Sequence, residues 1–329
     1  MKLESEFDLI AQCFVPLAGP EGLGLKDDAA LFRPSPGTEL VYTVDAMASG
    51  VHFLPDESPE IIAKRLIRVN ISDLAAKGAK PRGYLLTIAL PHDLNIAWVQ
   101  AFAKGLDEDQ EEYGFKVIGG DTISTHGPLV LSLTAIGEVC SGRMIRRAGA
   151  RAGDDLYVTG TIGDAAFGLE VAKGAHDSIS EADKIYLEGR FRLPTPRLNF
   201  GQMLATETIV TAAADVSDGL LADAGHIGVA SGLDVEVIAE SVPLSEPARR
   251  IVARDNRLAD AITGGDDYEI VFTAPTDCRQ MIKAASAKVG LQATRIGRVL
   301  KMLRDISAVR LIGEDGAVIK LEHLGYRHR

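Results

Sequence analysis

Aspartates that follow apolar segments are the residues of this 329-residue sequence best suited to chemistry. Asp45, Asp121 and Asp215 each come at the end of a segment whose composition predicts a buried strand. Carboxylates at strand ends are held by rigid elements and face a crevice, which is where open α/β sheets bind ligands. Mg²⁺ prefers oxygen ligands of this kind and usually keeps waters and substrate phosphates in its shell. The pattern therefore predicts a carboxylate cage for hard cations.

Further aspartates extend this set. Asp27 and Asp28 follow a Gly-rich loop, Asp73 lies on a predicted helix, and Asp218 precedes Gly219 at a helix start. Each of them alone is equally consistent with a turn or helix-cap residue, because aspartate is common at such positions. If several converge without a cation, their repulsion would be severe, so convergence would imply bound metal or raised pKa values.

Two arginines supply the complementary charge. Arg146 and Arg147 lie in a Gly-rich connection, residues 141–153, of an otherwise acidic chain. Arginine can grip phosphate oxygens through two parallel N–H donors, although a solvated basic loop is the alternative interpretation. Together with the carboxylates, the arginines indicate phosphoryl transfer between two anionic reactants, a reaction that depends on positioning and on metal neutralisation.

A third motif, Gly264–Glu269, precedes an apolar strand. It combines two conformationally permissive glycines with acceptor carboxylates and the aromatic ring of Tyr268. This combination suits the binding of a polar, cationic or heterocyclic group, because carboxylates and the face of an aromatic ring both attract cations. As an isolated hexapeptide, the motif would be a turn that enters a strand.

Composition excludes several functional classes. The chain has 46 acidic and 35 basic residues, a net charge of −11, and no basic stripe interleaved with aromatic residues, so we expect no nucleic-acid partner. No apolar run reaches the roughly 18–20 residues of a membrane span, and the acidic start does not match a signal peptide, so we expect no membrane partner and a cytoplasmic location. The widely spaced Cys13, Cys140 and Cys278 predict neither a disulfide framework nor a zinc site.

The order of the predicted elements indicates an α/β (α+β) protein of two domains, residues 1–140 and 141–329. Helices and strands alternate, but the first two strands are predicted to pair, which favours a mixed sheet with helices on one side. The best-defined helix starts at Ser58-Pro59 and ends near Gly78. Near the C-terminus we expect a strand from Ala308 to Ile312 and then a hairpin turn at residues 313–316.

Six short segments, read in order, resemble one known family. They are Asp27–Ala30, Thr43–Asp45 with the nearby Gly50–Phe53, Asn70–Ala79, Gly119–Thr122, Asp215–Leu220 and Gly264–Glu269. Their order and spacing are similar to those of the thiamine-monophosphate kinase family, which belongs to the superfamily of aminoimidazole ribonucleotide synthetase and selenide, water dikinase. The resemblance spans nearly the whole chain.

This resemblance implies a fold and an activity. The expected fold is the two-domain aminoimidazole ribonucleotide synthetase-like fold: an N-terminal metal-binding domain whose mixed sheet dimerises into a barrel, and a C-terminal α/β domain of the ATP-binding type. The expected activity is direct transfer of the γ-phosphoryl group of ATP to thiamine monophosphate, giving thiamine diphosphate, with several Mg²⁺ ions and no phosphoenzyme. The implied assembly is a homodimer with its active site in the cleft between the domains.

The resemblance also implies roles for individual residues. The positions that match the family's metal ligands are Asp28, Thr43, Val44 through its carbonyl, Asp45, Asp73, Asp121, Asp215 and Asp218. Those that match the ATP contacts are Gly120, Asp121, Arg147 and Ser217. Those that match the thiamine monophosphate contacts are His52, Asp266 and Tyr326. Catalysis is then expected to depend most on Asp121, Asp215 and Arg147.

The sequence departs from the usual family pattern at four positions. Lys26 replaces Gly, Val44 replaces Thr or Ser, Asp266 replaces Glu, and Tyr326 stands where Trp is often found. None of these changes removes a metal carboxylate. The alternatives are another ATP-using enzyme of the superfamily, such as aminoimidazole ribonucleotide synthetase, a Mg²⁺-dependent phosphatase, and a nucleotide-binding regulatory module without turnover.

Overall fold

The computed structural model describes residues 6–302 and 309–326, which form two compact units. Unit 1 comprises the described residues up to Leu74 and residues 79–142, and unit 2 comprises residues 75–78 and the described residues from Arg143 onward. The segment 75–78 belongs to unit 2 because it packs closely there: a Cβ on Gly201 would lie 1.8 Å from the carbonyl oxygen of Ala75. No helix in the described part of the chain is both long enough and apolar enough to cross a bilayer.

Unit 1 is built on a four-stranded mixed sheet. Its strands are β1 (Thr38–Ala48), β2 (Lys80–Pro91), β3 (Lys116–Thr125) and β4 (Val130–Cys140). Their order in the sheet is β1-β4-β2-β3, so β1 and β3 lie at opposite edges. Strand β4 pairs antiparallel with β1 and β2, whereas β2 and β3 are parallel. The predicted mixed sheet is thus confirmed.

Helices α2 (Pro59–Ala76) and α3 (Ile96–Tyr113) cover one face of this sheet, and the short helix α1 (Glu6–Leu9) precedes β1 in the chain. Helix α2 begins as predicted, because the Ser58 hydroxyl accepts a hydrogen bond from the backbone N–H of Ile61 at 3.4 Å. Its Leu66, Ile67 and Leu74 are completely buried. The opposite face of the sheet exposes a row of apolar side chains, namely Tyr42, Val44, Leu85, Ile123 and Val130.

Unit 2 contains a larger mixed sheet with helices around it. The strands are β5 (Asp155–Thr159), β6 (Ala212–Asp215), β7 (Leu233–Ile238), β8 (Ile270–Ala274), β9 (Ala293–Lys301), β10 (Val309–Ile312) and β11 (Val318–Ile319). The helices are α4 (Asp164–Ala172), α5 (Glu181–Arg192), α6 (Leu198–Glu207), α7 (Leu220–Ser231), α8 (Glu246–Asp255), α9 (Leu258–Thr263) and α10 (Arg279–Val289). The sheet order is β11-β10-β7-β9-β5-β8-β6, which places β6 at an edge.

The C-terminal hairpin is confirmed, because β10 and β11 pair antiparallel around residues 313–316. The predicted start of its first strand, Ala308, lies outside the described residues.

The expectation that three aspartates end their strands is wrong for two of them. Asp45 lies within β1, which continues to Ala48, and Asp121 lies within β3, which continues to Thr125. Only Asp215 is the last residue of its strand. Both misjudged strands are sheet edges with one exposed face, where polar and small residues are tolerated, so the apolar run ends before the strand does.

Two glycines of unit 2 give a matched stability test. A Cβ on Gly168 of α4 would lie 2.0 Å from the carbonyl oxygen of Leu187, whereas a Cβ on the exposed Gly189 of α5 would meet nothing within 4 Å. We expect Gly168→Ala to lower the free energy of unfolding by about 1–3 kcal/mol through overpacking. Gly189→Ala should raise it by about 0.5–1 kcal/mol, because alanine has the higher helix propensity. Urea unfolding of both variants measures the difference, and equal effects of the two substitutions would contradict this packing.

Candidate active site

The first group of predicted ligands, the β1–α2 cluster, comprises Thr43, Asp45, Asn70 and Asp73. The Thr43 hydroxyl donates a hydrogen bond to Asp73, and the backbone N–H of Asp45 donates to the Asn70 side chain at 3.2 Å. Asn70 is itself fixed, because its amide donates to the Leu66 carbonyl at 2.9 Å within α2. Helix α2 therefore presents Asp73 toward the strand that carries Asp45.

The β1–α2 cluster holds two carboxylates in one small space. Burial and, to a lesser extent, the nearby Asp73 carboxylate together raise the pKa of Asp45 to about 7. A carboxyl group in this position is destabilised when it ionises unless a cation compensates for the repulsion. A hard cation bound to the cluster would therefore relieve the repulsion between its two carboxylates.

A second group of predicted residues lines a pocket of about 650 Å³ in unit 1. Asp28, Gly120 and Asp121 all contribute to its wall, together with Thr87 from the neighbouring strand. Gly120 is required at its position, because a Cβ there would lie 1.8 Å from the carbonyl oxygen of Leu86. We call this feature the β3 pocket.

Asp45 of the β1–α2 cluster and Asp121 of the β3 pocket lie on strands at opposite edges of the same sheet. The strand register forms one cross-strand row through Asp45, Leu133, Leu86 and Gly120. Three strand spacings separate the ends of this row, which is about 14 Å. One copy of unit 1 therefore does not bring Asp45 and Asp121 within reach of a single ion.

His52 follows β1 and is held by the backbone. Its Nδ1 accepts a hydrogen bond from the N–H of Ala48 at 3.1 Å, and its carbonyl accepts from the Arg65 guanidinium at 3.0 Å. With Nδ1 as an acceptor, the neutral ring carries its proton on Nε2. That N–H is a donor of the kind that a phosphate oxygen accepts.

In unit 2 the segments 215–218 and 266–269 are joined by backbone hydrogen bonds. Val216 donates to the Glu269 carbonyl and Tyr268 donates to the Val216 carbonyl, both at 2.8 Å. The N–H of Asp266 donates to the Ser217 carbonyl at 2.9 Å. The predicted metal ligand Asp215, the predicted ATP contact Ser217 and the predicted substrate contact Asp266 are therefore brought together.

Gly265 permits this close approach, because a Cβ at residue 265 would lie 2.4 Å from the Ser217 carbonyl oxygen. The residues on either side of Asp267 adopt left-handed backbone angles, with φ of 71° at Asp266 and 51° at Tyr268. Such angles are uncommon for residues with side chains and persist only where their surroundings impose them. The backbone bonds to segment 215–218 supply part of that constraint.

A buried ionic group anchors the same loop from behind. Glu269 is fully buried, and both Arg190, at 2.9 Å, and Arg197 donate to its carboxylate. The Thr159 hydroxyl donates to it as well, at 2.7 Å. Because the charged partners satisfy the carboxylate, Glu269 fixes the loop and is not an acceptor for ligand.

Two more predicted residues lie beside this loop. The backbone N–H of Tyr326 donates to the Asp218 carbonyl at 2.8 Å, which brings the C-terminal segment to the metal-ligand turn. The segment of Arg146 and Arg147 runs along the edge strand β6, since the Arg146 carbonyl accepts from Ala213 at 2.9 Å. Within unit 2, the predicted nucleotide, metal and substrate residues thus share one end of the sheet.

Asp223, in the first turn of α7, is a residue that the sequence analysis missed. Its Oδ2 accepts hydrogen bonds from the backbone N–H groups of Ser217 and Asp218, each at 3.1 Å. Burial and, after it, the Asp218 carboxylate raise the pKa of Asp223 to about 7, although the two backbone donors and Arg147 oppose the rise. The sequence signal for this role was its position five residues after Asp218, because an aspartate in the first turn of a helix can accept hydrogen bonds from backbone N–H groups of the preceding turn.

The remaining predicted ligands have simpler surroundings. Asp28 is exposed, and its backbone N–H donates to the Asp27 carboxylate at 2.8 Å. Val44 has an exposed aliphatic side chain, so the contribution expected from its carbonyl stays a prediction. Lys26, the departure beside the aspartate pair, is also exposed.

The raised pKa of Asp45 leads to a pH-dependent stability. A folded-state pKa above the unfolded value means that the folded protein binds the extra proton, so stability is lost as the pH rises from about 4 through 7. Asp45→Asn removes this loss and keeps the backbone bond to Asn70. In the presence of a chelator, we expect the melting temperature of Asp45→Asn to exceed that of the unchanged protein by more at pH 8 than at pH 5. The exposed Asp56→Asn serves as control, and a difference that is constant with pH would contradict the raised pKa of Asp45.

Comparison with known proteins gives the family. The profile of the AIR synthase related protein N-terminal domain matches residues 26–139, and that of the C-terminal domain matches residues 151–307. A thiamine-monophosphate kinase of Salmonella typhimurium is 38% identical over 98% of both chains. One from Caulobacter vibrioides is 42% identical over 90% of this chain and 84% of its own length.

Solved structures agree with the sequence relatives. A thiamine-monophosphate kinase from Stenotrophomonas maltophilia K279a superposes with a TM-score of 0.79 at 39% identity, covering 90% of this chain and 91% of its own. A structure described as AaThiL complexed with AMPPCP and TMP superposes with a TM-score of 0.78 at 31% identity, covering 100% and 99%. The two domain profiles, the sequence relatives and the solved structures thus all indicate the same family. The chain belongs to the thiamine-monophosphate kinases, a family of enzymes among the AIR synthase related proteins.

Proposed function

We propose that this protein transfers the γ-phosphoryl group of ATP directly to thiamine monophosphate in the cytoplasm, producing thiamine diphosphate and ADP. The observation that carries the proposal is the backbone pairing of segments 215–218 and 266–269, which puts Asp215, Ser217 and Asp266 side by side. The relative described as AaThiL binds AMPPCP, an ATP analogue, and TMP. A site for both reactants on the same fold supports the same pair of substrates here.

The residues present fit Mg²⁺, and the chemistry of their oxygen ligands supports this assignment. The β1–α2 cluster offers carboxylate and hydroxyl oxygens from Thr43, Asp45 and Asp73, and its repulsion is the kind that a cation relieves. Asp215 and Asp218 would hold metal in unit 2, and Asp28 and Asp121 in the β3 pocket. When bound, Mg²⁺ neutralises phosphate charge and helps to align the reacting oxygens.

The reaction does not require a strong general base. A phosphate oxygen of thiamine monophosphate is already ionised near neutral pH, so no proton has to be removed before it attacks. The obstacle is the repulsion between two phosphate-bearing reactants in a cleft of low dielectric constant. Fixed carboxylates reduce this repulsion by binding cations between the reactants. An arginine that forms two parallel hydrogen bonds to a phosphate group helps to position it. Arg147 is the arginine that we assign to ATP.

Three residues are assigned to the acceptor. The Asp266 carboxylate and the Tyr326 ring would contact the cationic, aromatic part of thiamine monophosphate, because carboxylates and ring faces both attract cations. His52 would donate from Nε2 to its phosphate. The Tyr268 hydroxyl lies 3.2 Å from the Asp266 carboxylate and orients it. Because Asp266 is one methylene shorter than the usual glutamate, the Tyr268 bond gains importance here.

A homodimer would complete the site. Asp45 and Asp121 lie at opposite edges of one sheet, so a second copy is needed if one metal cage is to use both. Closure of two four-stranded sheets into a barrel would bring the β1 edge of one copy to the β3 edge of the other and bury the exposed Tyr42 and Val44. The exposed apolar face of the sheet supports such closure.

The activity itself is the first test. The purified protein with thiamine monophosphate, ATP and Mg²⁺ should form thiamine diphosphate and ADP in equal amounts. Asp215→Asn should lower kcat by about 100-fold or more, because the variant loses a metal carboxylate but keeps its shape. Asp177→Asn, at an exposed loop position of the same unit, should retain full activity. ADP release without thiamine diphosphate would point to a phosphatase or to another acceptor and would overturn the proposal.

Complementation tests the shared site. Asp45→Asn and Asp121→Asn should each be inactive as homodimers. In a mixed dimer, one of the two sites lacks both aspartates and the other has both. When the two chains assort randomly, about half of the dimers are mixed, so co-folding the two variants should restore up to about a quarter of the wild-type activity. Two Asp45→Asn preparations mixed in the same way provide the control. No recovery from a mixture shown to contain heterodimers would mean that each copy supplies its own complete cage.

A further inference from the structure

We infer that Asp218, Asp223 and His226 form a cation site that takes a borderline transition metal, such as Co²⁺ or Zn²⁺, through a nitrogen ligand. One ligand atom from each of these residues lies within 4.8 Å of the others. Ligands that share one ion at 2.0–2.2 Å are separated by about 3–4.4 Å, so only a small adjustment is needed. The predictions from the sequence assigned metal to Asp218 but gave no role to Asp223 or His226.

The local structure explains why these three side chains meet. Asp223 and His226 are three residues apart in α7, and residues at this spacing lie on the same helix face. A carboxylate and a histidine at this spacing are a known way for helices to bind metal. Asp218 comes from the turn before the helix, and Asp223 holds that turn through its Oδ2.

An unsatisfied buried atom independently points to a ligand. Asp223 is only 1% exposed, and Oδ2 accepts both backbone hydrogen bonds from the turn. Its Oδ1 is buried and has no hydrogen-bond partner among the described residues. A buried carboxylate oxygen without a partner is costly, and a bound cation would remove that cost.

The imidazole determines which ions suit the site. His226 is exposed, so its ring can reach an ion from the solvent side while Asp223 contributes from the interior. Imidazole favours Co²⁺, Zn²⁺ and related ions, whereas Mg²⁺ prefers oxygen ligands. The site differs in this way from the all-oxygen magnesium sites of the proposed function, and it depends on that function only in sharing Asp218. Its occupation would stiffen the turn that carries Ser217 and Asp218.

Direct metal binding tests the site. Co²⁺ is titrated into the full-length protein, without a histidine tag and without ATP or thiamine monophosphate, and the visible d–d absorption is recorded in excess Mg²⁺. One Co²⁺ ion per chain should bind with a spectrum typical of mixed nitrogen and oxygen ligands. His226→Gln should weaken this binding by about tenfold or more and remove the nitrogen signature, because one ligand is lost. His323→Gln, at an exposed histidine of unit 2 that is not one of the three ligands, should bind as the unchanged protein does.

The outcomes separate this site from the proposed function. Unchanged Co²⁺ affinity and spectrum in a folded His226→Gln variant would overturn the inference, whatever the kinase assay shows. Co²⁺ binding through His226 in a protein that forms no thiamine diphosphate with Mg²⁺ would overturn the proposed function alone. Because His226 is exposed, its replacement should leave the fold intact, and circular dichroism checks this. Asp223→Asn serves as a second variant and should also weaken Co²⁺ binding.

Discussion

Repulsion between negative charges is the constraint on which the rest of this structure depends. The fold places carboxylates beside one another in two places, Asp45 with Asp73 in unit 1 and Asp218 with Asp223 in unit 2. Burial, and after it the neighbouring carboxylate, raises the pKa of one carboxyl group in each pair to about 7, so the charged forms are held at a cost. A protein that maintains such pairs near neutral pH is suited to binding cations, and cations are what two phosphate-bearing reactants need in order to approach each other.

Rigid backbone contacts hold these charges in place. In unit 2 the loop that carries Asp266 is bonded to the segment after β6, and Glu269 fixes it from behind through two arginines. Gly265 and Gly120 have no room for a side chain, because neighbouring carbonyl oxygens occupy that space. Such preorganisation favours catalysis, because groups that are already in position need not be ordered during the reaction.

Much of the fold could be predicted from the sequence. The cap at Ser58 and the hairpin at residues 313–316 are decided by local residue chemistry, and the order of elements along the chain indicated the mixed sheet. The structure confirms all three. The ends of β1 and β3 could not be predicted from hydrophobicity, because edge strands continue through polar residues. The six segments in order were enough to recognise the family, although each of them alone is short.

The geometry of the site was harder to predict from the sequence than the fold. Strand order is a long-range property, so nothing in the residues around Asp45 and Asp121 indicated that β1 and β3 lie at opposite edges. Asp223 escaped notice because its role depends on a turn whose shape appears only in three dimensions. Residue types predicted the chemistry of the ligands, whereas topology decided which of them can act together.

Anomalous diffraction from crystals grown with Mn²⁺ and a non-hydrolysable ATP analogue tests the central claim most directly. Mn²⁺ takes oxygen ligands as Mg²⁺ does and can be located without ambiguity. We expect anomalous peaks within about 2.0–2.6 Å of carboxylate oxygens of Asp45 or Asp73 and of Asp215 or Asp218, in contact with the phosphates. A nucleotide bound with its phosphates away from these carboxylates, and no peak at any of them, would contradict it.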